Sequence, residues 1–162
     1  MVVGMNSFDI ATQIKELNRV PVGVAVVVTN SDFELLLIKR KGAHGKGTWS
    51  IPGGWVDAGE DPTTTCIREL AEEVGVGSNL HNHFTERELS FIGYTFDQHP
   101  EGIEDVCLYF WLHYVPTDMP HIREPDKISE LRWIDINHGK IDWPQPLFPP
   151  LDNAIKKGLL PS

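Results

Sequence analysis

Cysteine and long apolar runs are both scarce in this 162-residue chain. Its two cysteines, Cys66 and Cys107, are too few for a disulfide framework, and free thiols suit a reducing cytosol. The chain has no run of about 20 apolar residues that could cross a membrane, and residues 1–20 are too polar and too acidic for a signal peptide. We therefore expect a cytoplasmic protein without a membrane partner.

Positively charged residues are also few. The chain has 14 lysines and arginines against 23 aspartates and glutamates, which gives a formal net charge of −9. A non-specific nucleic-acid surface normally needs a basic patch to neutralise phosphates. We therefore expect no nucleic-acid partner.

The length of the chain corresponds to one ordinary domain that can bury a core without disulfides. We expect residues 20–160 to form this domain. Residues 1–19 are expected to form an N-terminal extension that contains a short helix over 8–17. The chain has no internal repeat that would divide it further.

Strand-like and helix-like segments alternate along the domain. The β-branched run at 20–29 suits a central strand that is buried on both faces. After a turn at 30–32, the segment 33–40 is expected to pair with that strand as a hairpin. Further elements are predicted downstream, as strands at 86–96, 106–115 and 131–136 and as a helix at 150–157. Strands that alternate with helices predict an α/β fold, with a mixed β-sheet packed between helices.

One segment, residues 54–76, predicts a loop followed by a short amphipathic helix. Asp61 suits the helix N-cap, Pro62 suits the first helical position and Gly75 suits the C-terminal stop. Helical spacing gathers four apolar residues into one stripe for burial: Ile67, Leu70, Ala71 and Val74. Three acids share the nearly opposite face: Glu69, Glu72 and Glu73.

This acidic face predicts a metal site. Carboxylates at helical neighbour spacing repel one another, and a divalent cation converts that repulsion into binding. Mg²⁺ takes oxygen ligands, so we interpret the face as a magnesium site toward which the preceding loop brings Glu60. Arg68, one turn before Glu72, can fix a carboxylate without binding the metal itself. At Gly53 and Gly54, a metal or ligand can approach the main-chain carbonyls closely.

The same segment resembles the Nudix box, in which Gly-x₅-Glu-x₇ precedes Arg-Glu-aliphatic-x-Glu-Glu-x-Gly-aliphatic. Every specified position is filled, by Gly54, Glu60, Arg68, Glu69, Leu70, Glu72, Glu73, Gly75 and Val76. Shorter motifs around the box look like those of the MutT-like nucleoside triphosphate pyrophosphatases: Trp-x-x-Pro-Gly-Gly at 49–54, Glu-Pro-Asp-Lys at 124–127 and Pro-Leu-Phe at 146–148. The resemblance implies a Nudix α/β/α sandwich.

The resemblance also implies a chemistry, the hydrolysis of a nucleoside diphosphate linked to another group. For a triphosphate substrate, canonical or modified, a metal-activated water would release a nucleoside monophosphate and pyrophosphate. By similarity, Glu69 and Glu73 are the principal ligands of Mg²⁺, for which Mn²⁺ can substitute. Glu72 is a further ligand or positions water, and Glu60 and Gly54 are additional candidate ligands.

A general base outside the box is common in this family. Glu124 is the first candidate because of its place in the Glu-Pro-Asp-Lys loop, and it joins Glu72, Glu73 and Arg68 as an expected catalytic group. Glu104 and Asp105 are the alternatives. Homodimers are frequent among related proteins, so a homodimer is a further expectation.

Contacts with a nucleotide substrate are predicted from residue type. Four basic residues cluster around a Gly-rich loop, where they would meet phosphates or simply solubilise the loop: Lys39, Arg40, Lys41 and Lys46. Three aromatic residues near the C-terminus would stack on a base or belong to the core: Trp133, Trp143 and Phe148. No histidine lies at ligand spacing from another plausible ligand, so we treat all seven as structural or exposed.

Several alternatives remain open. Relatives that act on ADP-ribose often have a proline after the box, where this chain has Leu89, Ser90 and Phe91. Tyr94 stands where dinucleoside polyphosphate hydrolases often have a tyrosine. Nucleoside diphosphate sugars are another substrate class, and a non-catalytic nucleotide sensor is disfavoured by the intact acids. A prenyl diphosphate isomerase would use a cysteine such as Cys107.

Overall fold

The computed structural model describes residues 12, 19–77, 84–113, 115–117 and 119–162. The helix expected over 8–17 lies outside the described residues except at Thr12, which is helical. Within the described residues, no helix is both long and apolar enough to cross a lipid bilayer.

Seven β-strands and two α-helices make up the described part of the domain. In chain order they are β1 (Val22–Val28), β2 (Glu34–Arg40), β3 (Trp49–Ser50), β4 (Gly53–Trp55), α1 (Pro62–Val74), β5 (Leu89–Gln98), β6 (Glu104–Leu112), β7 (Ile128–Asp135) and α2 (Pro149–Lys156). A short 3₁₀-helix, Glu86–Glu88, precedes β5 where the sequence predicted the start of a strand. The two short strands β3 and β4 were not predicted.

The strands form two sheets. The first is mixed, in the order β4-β1-β6-β5, with β1 parallel to β6 and antiparallel to β4. The second is antiparallel, in the order β3-β2-β7. The predicted hairpin of 20–29 with 33–40 is therefore wrong. Strand β1 pairs along its two edges with β4 and β6. Backbone pairing with the β2 segment is confined to the turn just beyond β1, at the Thr29–Leu35 bridge and the bond from the Asn30 N–H to the Glu34 oxygen.

The two helices cover opposite sides of the strands, as the predicted α/β fold requires. Alternate residues of β1 point to opposite faces, because side chains alternate along a strand. Val24, Val26 and Val28 belong to the core cluster that contains Leu70 and Val74 of α1. Ala25 and Val27 belong to the cluster that contains Leu151 and Ala154 of α2. The fold class is thus confirmed, with the strands divided between two sheets.

Helix α1 begins and ends as its sequence predicts. The Asp61 side chain accepts a hydrogen bond from the Thr63 N–H, and Pro62 occupies the first turn. Gly75 ends the helix in the left-handed conformation, with φ of 72°. A Cβ at Gly75 would also lie 2.3 Å from the His121 ring, so the segment that follows β6 passes directly over this end of the helix.

The buried stripe of α1 is expected to dominate the stability of this unit. Leu70 is 0% exposed, so Leu70→Ala should lower the free energy of unfolding by about 2–5 kcal/mol, the cost of lost burial and a residual cavity. Thr64, exposed on the same helix, is the matched control, and Thr64→Ala should cost no more than about 1 kcal/mol. Urea unfolding followed by circular dichroism measures both values. Equal losses would show that α1 is not held by its apolar stripe.

Candidate active site

Helix α1 presents two buried carboxylates to the short strand β4. Glu69 is 8% exposed and Glu73 is 6% exposed. Oε2 of Glu73 accepts a hydrogen bond of 3.0 Å from the Gly53 N–H. A Cβ on Gly54 would lie only 2.2 Å from Oε1 of Glu69. The glycines therefore let the β4 backbone approach both carboxylates more closely than other residues would permit.

Burial favours the protonated forms of these two acids, because it penalises their negative charges. The pKa of Glu73 is raised to about 8, mainly by burial and also by the charge of Glu69, against the opposing Gly53 hydrogen bond. Burial likewise raises the pKa of Glu69. A divalent cation between the carboxylates would remove their mutual repulsion and offset the loss of hydration. The donor set therefore fits Mg²⁺, which prefers oxygen ligands.

Arg68 connects the carboxylates of the loop and the helix. Its Nε and Nη2 each lie 3.0 Å from an oxygen of Glu60, and its Nη1 lies 2.9 Å from Glu69 and 3.2 Å from Glu72. Thr65 donates a further hydrogen bond of 2.7 Å to Glu60. The Arg68 contact, more than any other, lowers the pKa of Glu60 to about 2. Both oxygens of Glu60 are thus engaged by side chains, whereas Glu72 stays largely exposed.

The loop before β7 brings Glu124 to the same place. Its Oε1 pairs with Nζ of Lys127 at 2.8 Å, while its buried Oε2 has no hydrogen-bond partner among the described residues. The neighbouring Arg123 N–H donates to the main-chain oxygen of Glu73 at 3.1 Å, which ties this loop to the end of α1. The negative charge of Glu124 acts on Glu73 and raises its pKa.

The two alternative base candidates lie elsewhere. Glu104 is exposed and accepts a hydrogen bond from Gln98. Asp105 is buried, and its Oδ2 lies 3.2 Å from Nε2 of His99. Of the three acids, Glu124 is the one whose charge acts on Glu73.

A cleft of about 500 Å³ opens in front of these acids, and Arg40, Glu69, Glu73 and Lys127 all contribute to its wall. Arg40 is oriented by a hydrogen bond of 2.9 Å from its Nε to the His44 main-chain oxygen. Burial lowers the pKa of Arg40, and the charge of Glu73 opposes that change. Lys127 was not predicted as a substrate contact, because only the fold brings it close to the acids.

The other predicted basic residues do not line this cleft. Nζ of Lys39 lies 3.9 Å from Glu130. Lys41 donates to the Pro125 main-chain oxygen, and Lys46 is exposed on the loop. Arg40 is the one of the four predicted phosphate ligands that lines the cleft.

A smaller pocket of about 110 Å³ adjoins the cleft, and Arg40, His44, Gly53 and Gly54 line both. Phe148 forms part of its wall and lies under the Arg40 guanidinium at 4.4 Å. The two other predicted stacking residues pack against the core clusters instead: Trp133 and Trp143. His44 and His99 also line this pocket, although their distance along the chain gave no sign that they meet.

The two cysteines show no sign of activation. Burial raises the pKa of Cys66 to about 12 and raises that of Cys107 as well. Thiols in this state are poor nucleophiles and poor proton donors or acceptors near neutral pH. Cys107 therefore gives no support to isomerase chemistry.

Comparison with known proteins agrees with this geometry. The family model for the NUDIX domain matches residues 19–155. A Caenorhabditis elegans protein named for the nudix hydrolases is 31% identical over 120 residues, which are 68% of this chain and 44% of that protein. An ADP-ribose pyrophosphatase of Methanocaldococcus jannaschii is 41% identical over 111 residues, 68% of this chain and 60% of that protein. This chain thus spans less than two thirds of the length of either relative.

A solved structure supports the same assignment. The crystal structure of a MutT NUDIX hydrolase from Burkholderia pseudomallei superimposes with a TM-score of 0.69 at 27% sequence identity, covering 87% of this chain and 96% of that chain. The match therefore includes nearly the whole neighbouring structure. Since the family model, the relatives and the fold all agree with the acids of helix α1, this chain belongs to the Nudix hydrolase family.

Proposed function

We propose that this protein hydrolyses a nucleoside diphosphate linked to another group, and that its substrate is a nucleoside triphosphate, canonical or modified. The products would be a nucleoside monophosphate and pyrophosphate. One observation carries the proposal: the buried carboxylates Glu69 and Glu73 share a cleft with the cations Arg40 and Lys127. Groups that bind a divalent cation thus adjoin groups that bind phosphate oxygens.

Helix α1 supplies the proposed metal ligands. We assign Glu69 and Glu73 as the principal ligands of Mg²⁺, and the more exposed Glu72 as a further ligand or the group that positions water. The Gly54 carbonyl remains a proposed main-chain ligand, because β4 lies directly against Glu69. When bound, Mg²⁺ neutralises crowded phosphate oxygens and lowers the pKa of a bound water.

Arg68 and Glu60 are best assigned as positioning residues. Arg68 holds Glu69 and Glu72 on one side and both oxygens of Glu60 on the other. A guanidinium fork that contacts several carboxylates restricts their rotamers, which keeps the metal-binding oxygens in place. Both oxygens of Glu60 accept hydrogen bonds from the Arg68 and Thr65 side chains, so the contribution of Glu60 is to anchor Arg68.

Glu124 is the proposed general base. Its Oε2 is buried without a hydrogen-bond partner among the described residues, although Lys127 binds the other oxygen. A carboxylate with one free oxygen beside the metal ligands can accept a proton from the attacking water. Asp105 also has a buried oxygen without a hydrogen-bond partner among the described residues, Oδ1, but it lines the adjoining pocket. The charge of Glu124 acts on Glu73, which favours Glu124 over Glu104 and Asp105.

Arg40 and Lys127 are the proposed phosphate contacts. Both line the cleft beside Glu69 and Glu73. Phe148, on the wall of the adjoining pocket, is the proposed aromatic contact for the base. A triphosphate would then extend from the acids of α1 toward this pocket, past the Arg40 side chain.

ADP-ribose is the second candidate substrate. The Methanocaldococcus jannaschii relative, 41% identical over 111 residues, is named as an ADP-ribose pyrophosphatase. ADP-ribose contains the same nucleoside diphosphate unit, so the same acids and cations would act on it. The absence of a proline at Leu89, Ser90 or Phe91 favours the triphosphate.

The first test compares Glu73→Gln with the parent protein in Mg²⁺, on triphosphates, oxidised triphosphates, ADP-ribose and dinucleoside polyphosphates. Monophosphate and pyrophosphate are measured separately. We expect the variant to lose turnover by a factor on the order of 10² or more, because the amide replaces a charged ligand. It should stay folded, since the amide oxygen can still accept the Gly53 hydrogen bond. Glu130→Gln, on β7, is the control, because this side chain is 41% exposed and pairs with Arg132, and it should change turnover less than about twofold.

Each result of that comparison has a distinct meaning. Monophosphate and pyrophosphate from a triphosphate, lost in Glu73→Gln, would support the proposed function. Cleavage confined to ADP-ribose or dinucleotides would keep the role of the acids and replace the substrate class. Binding without turnover in the parent protein would identify a nucleotide sensor.

A second test uses the close approach of β4 to the helix. Gly54→Ala places a methyl group where Oε1 of Glu69 lies 2.2 Å away, so this carboxylate has to move. We expect turnover to fall about tenfold or more, which is the scale of effect seen when the residues that support a metal ligand are disturbed. Mg²⁺ should also raise the melting temperature of this variant less than that of the parent protein.

Gly42→Ala is the matched control, because Gly42 lines the same cleft and its added Cβ would meet no atom within 4 Å. It should leave both quantities near the parent values. Equal activity in the Gly54 and Gly42 variants would contradict a metal-ligand role for Glu69.

A further inference from the structure

Three side chains outside helix α1 converge on one point. His44 lies on the loop after β2, whereas His99 and Glu101 lie on the turn between β5 and β6. One ligand atom from each of them lies within 4.8 Å of the other two. Nδ1 of His44 is 3.3 Å from Oε1 of Glu101, and the two imidazole centroids are 4.7 Å apart. Two loops that are distant in sequence thus bring two nitrogen ligands and one oxygen ligand together.

His99 indicates that this convergence is more than a surface ion pair. Its side chain is only 2% exposed, and neither Nδ1 nor Nε2 makes a hydrogen bond among the described residues. A buried polar atom without a partner costs free energy, so such an atom calls for a ligand. Nε2 lies 3.2 Å from Oδ2 of Asp105. A carboxylate at one ring nitrogen is the usual arrangement around a histidine whose other nitrogen binds a metal.

The histidines are held in place from both sides. The His99 N–H donates to the Ile103 main-chain oxygen at 2.8 Å, which closes the turn between β5 and β6. The His44 oxygen accepts from Nε of Arg40 at 2.9 Å. The Phe148 ring meets the His44 ring edge-on, with centroids 5.2 Å apart. Ligands that are fixed before binding lose less entropy when they bind.

We propose that His44, His99 and Glu101 form a second metal site, which binds a transition-metal ion such as Zn²⁺. Two imidazoles and one carboxylate suit Zn²⁺, whereas Mg²⁺ prefers oxygen ligands alone. Asp105 is the positioning residue that orients His99. Three protein ligands leave a fourth position of a tetrahedral ion for water or another small ligand.

The surrounding charges are compatible with a cation at this site. Burial lowers the pKa of His44, and the charge of Arg40 lowers it further, so Arg40 is the opposing charge. Three carboxylates act on His99 from the other side: Asp105, Asp97 and Glu101. The negative groups thus outnumber the positive one. His44 also lines the cleft that contains Glu69 and Glu73, so this second ion would lie beside the proposed active site without sharing its ligands.

The test is a zinc titration of untagged, chelator-stripped protein in excess Mg²⁺, which would occupy the proposed carboxylate site of α1. Isothermal calorimetry should find one Zn²⁺ per chain. His44→Ala and Glu101→Gln should each weaken binding by about 100-fold or more, and Asp105→Asn by about 10- to 100-fold. Co²⁺ provides a second readout, because nitrogen ligation in the parent protein should give visible absorption that His44→Ala removes.

Two control variants locate the ion. His138→Ala removes an exposed histidine whose Nδ1 also lies 3.2 Å from a carboxylate, that of Asp135, and should leave zinc affinity unchanged. Glu73→Gln should also leave it unchanged, which separates this site from the α1 acids and from the proposed function. Melting temperatures without zinc verify that every variant is folded. No bound zinc, zinc lost equally in His138→Ala, or zinc lost in Glu73→Gln alone would overturn the proposal.

Discussion

The burial of two carboxylates beneath a three-residue strand is the constraint on which the site depends. Glu69 and Glu73 lose most of their hydration where β4 lies against α1, and the opposing Gly53 hydrogen bond compensates for only part of that loss. The fold therefore holds an electrostatically unfavourable arrangement that a cation relieves. The packing of α1 supports that arrangement, because its apolar stripe presses the helix into the core while the acids stay at the cleft.

The sequence was most informative where the determining contacts are local. The cap at Asp61 and the end at Gly75 are set by residues within one helix, and both were predicted correctly. Of the predicted apolar stripe, Leu70 and Val74 are buried, whereas Ile67 and Ala71 are only half-buried. The pairing of β1 was not local. Its neighbours β4 and β6 lie farther along the chain, so the expected hairpin with β2 failed although each strand was recognised.

The same distinction applies to the site. Helical spacing predicts that the box acids share one face of α1, and the position of Glu124 in its loop makes it a candidate base from the sequence alone. Lys127 shares that loop, but its approach to Glu69 and Glu73 depends on how the loop packs. The meeting of His44 with His99 depends on two loops from different sheets. Such a contact leaves no periodic pattern in the sequence, so it can be seen only in the three-dimensional fold.

Gly53 and Gly54 give β4 a mechanical role. A Cβ at Gly53 would lie 2.1 Å from the Val24 oxygen of β1, while a Cβ at Gly54 would meet Glu69 on the helix. The strand thus lies in contact with β1 on one side and with the Glu69 carboxylate on the other. Because the two glycines have no side chains that could adjust, a displacement of β1 would also displace Glu69. The position of that carboxylate therefore depends on β1, in which residues 23–28 are all buried, and not on the loops that surround the cleft.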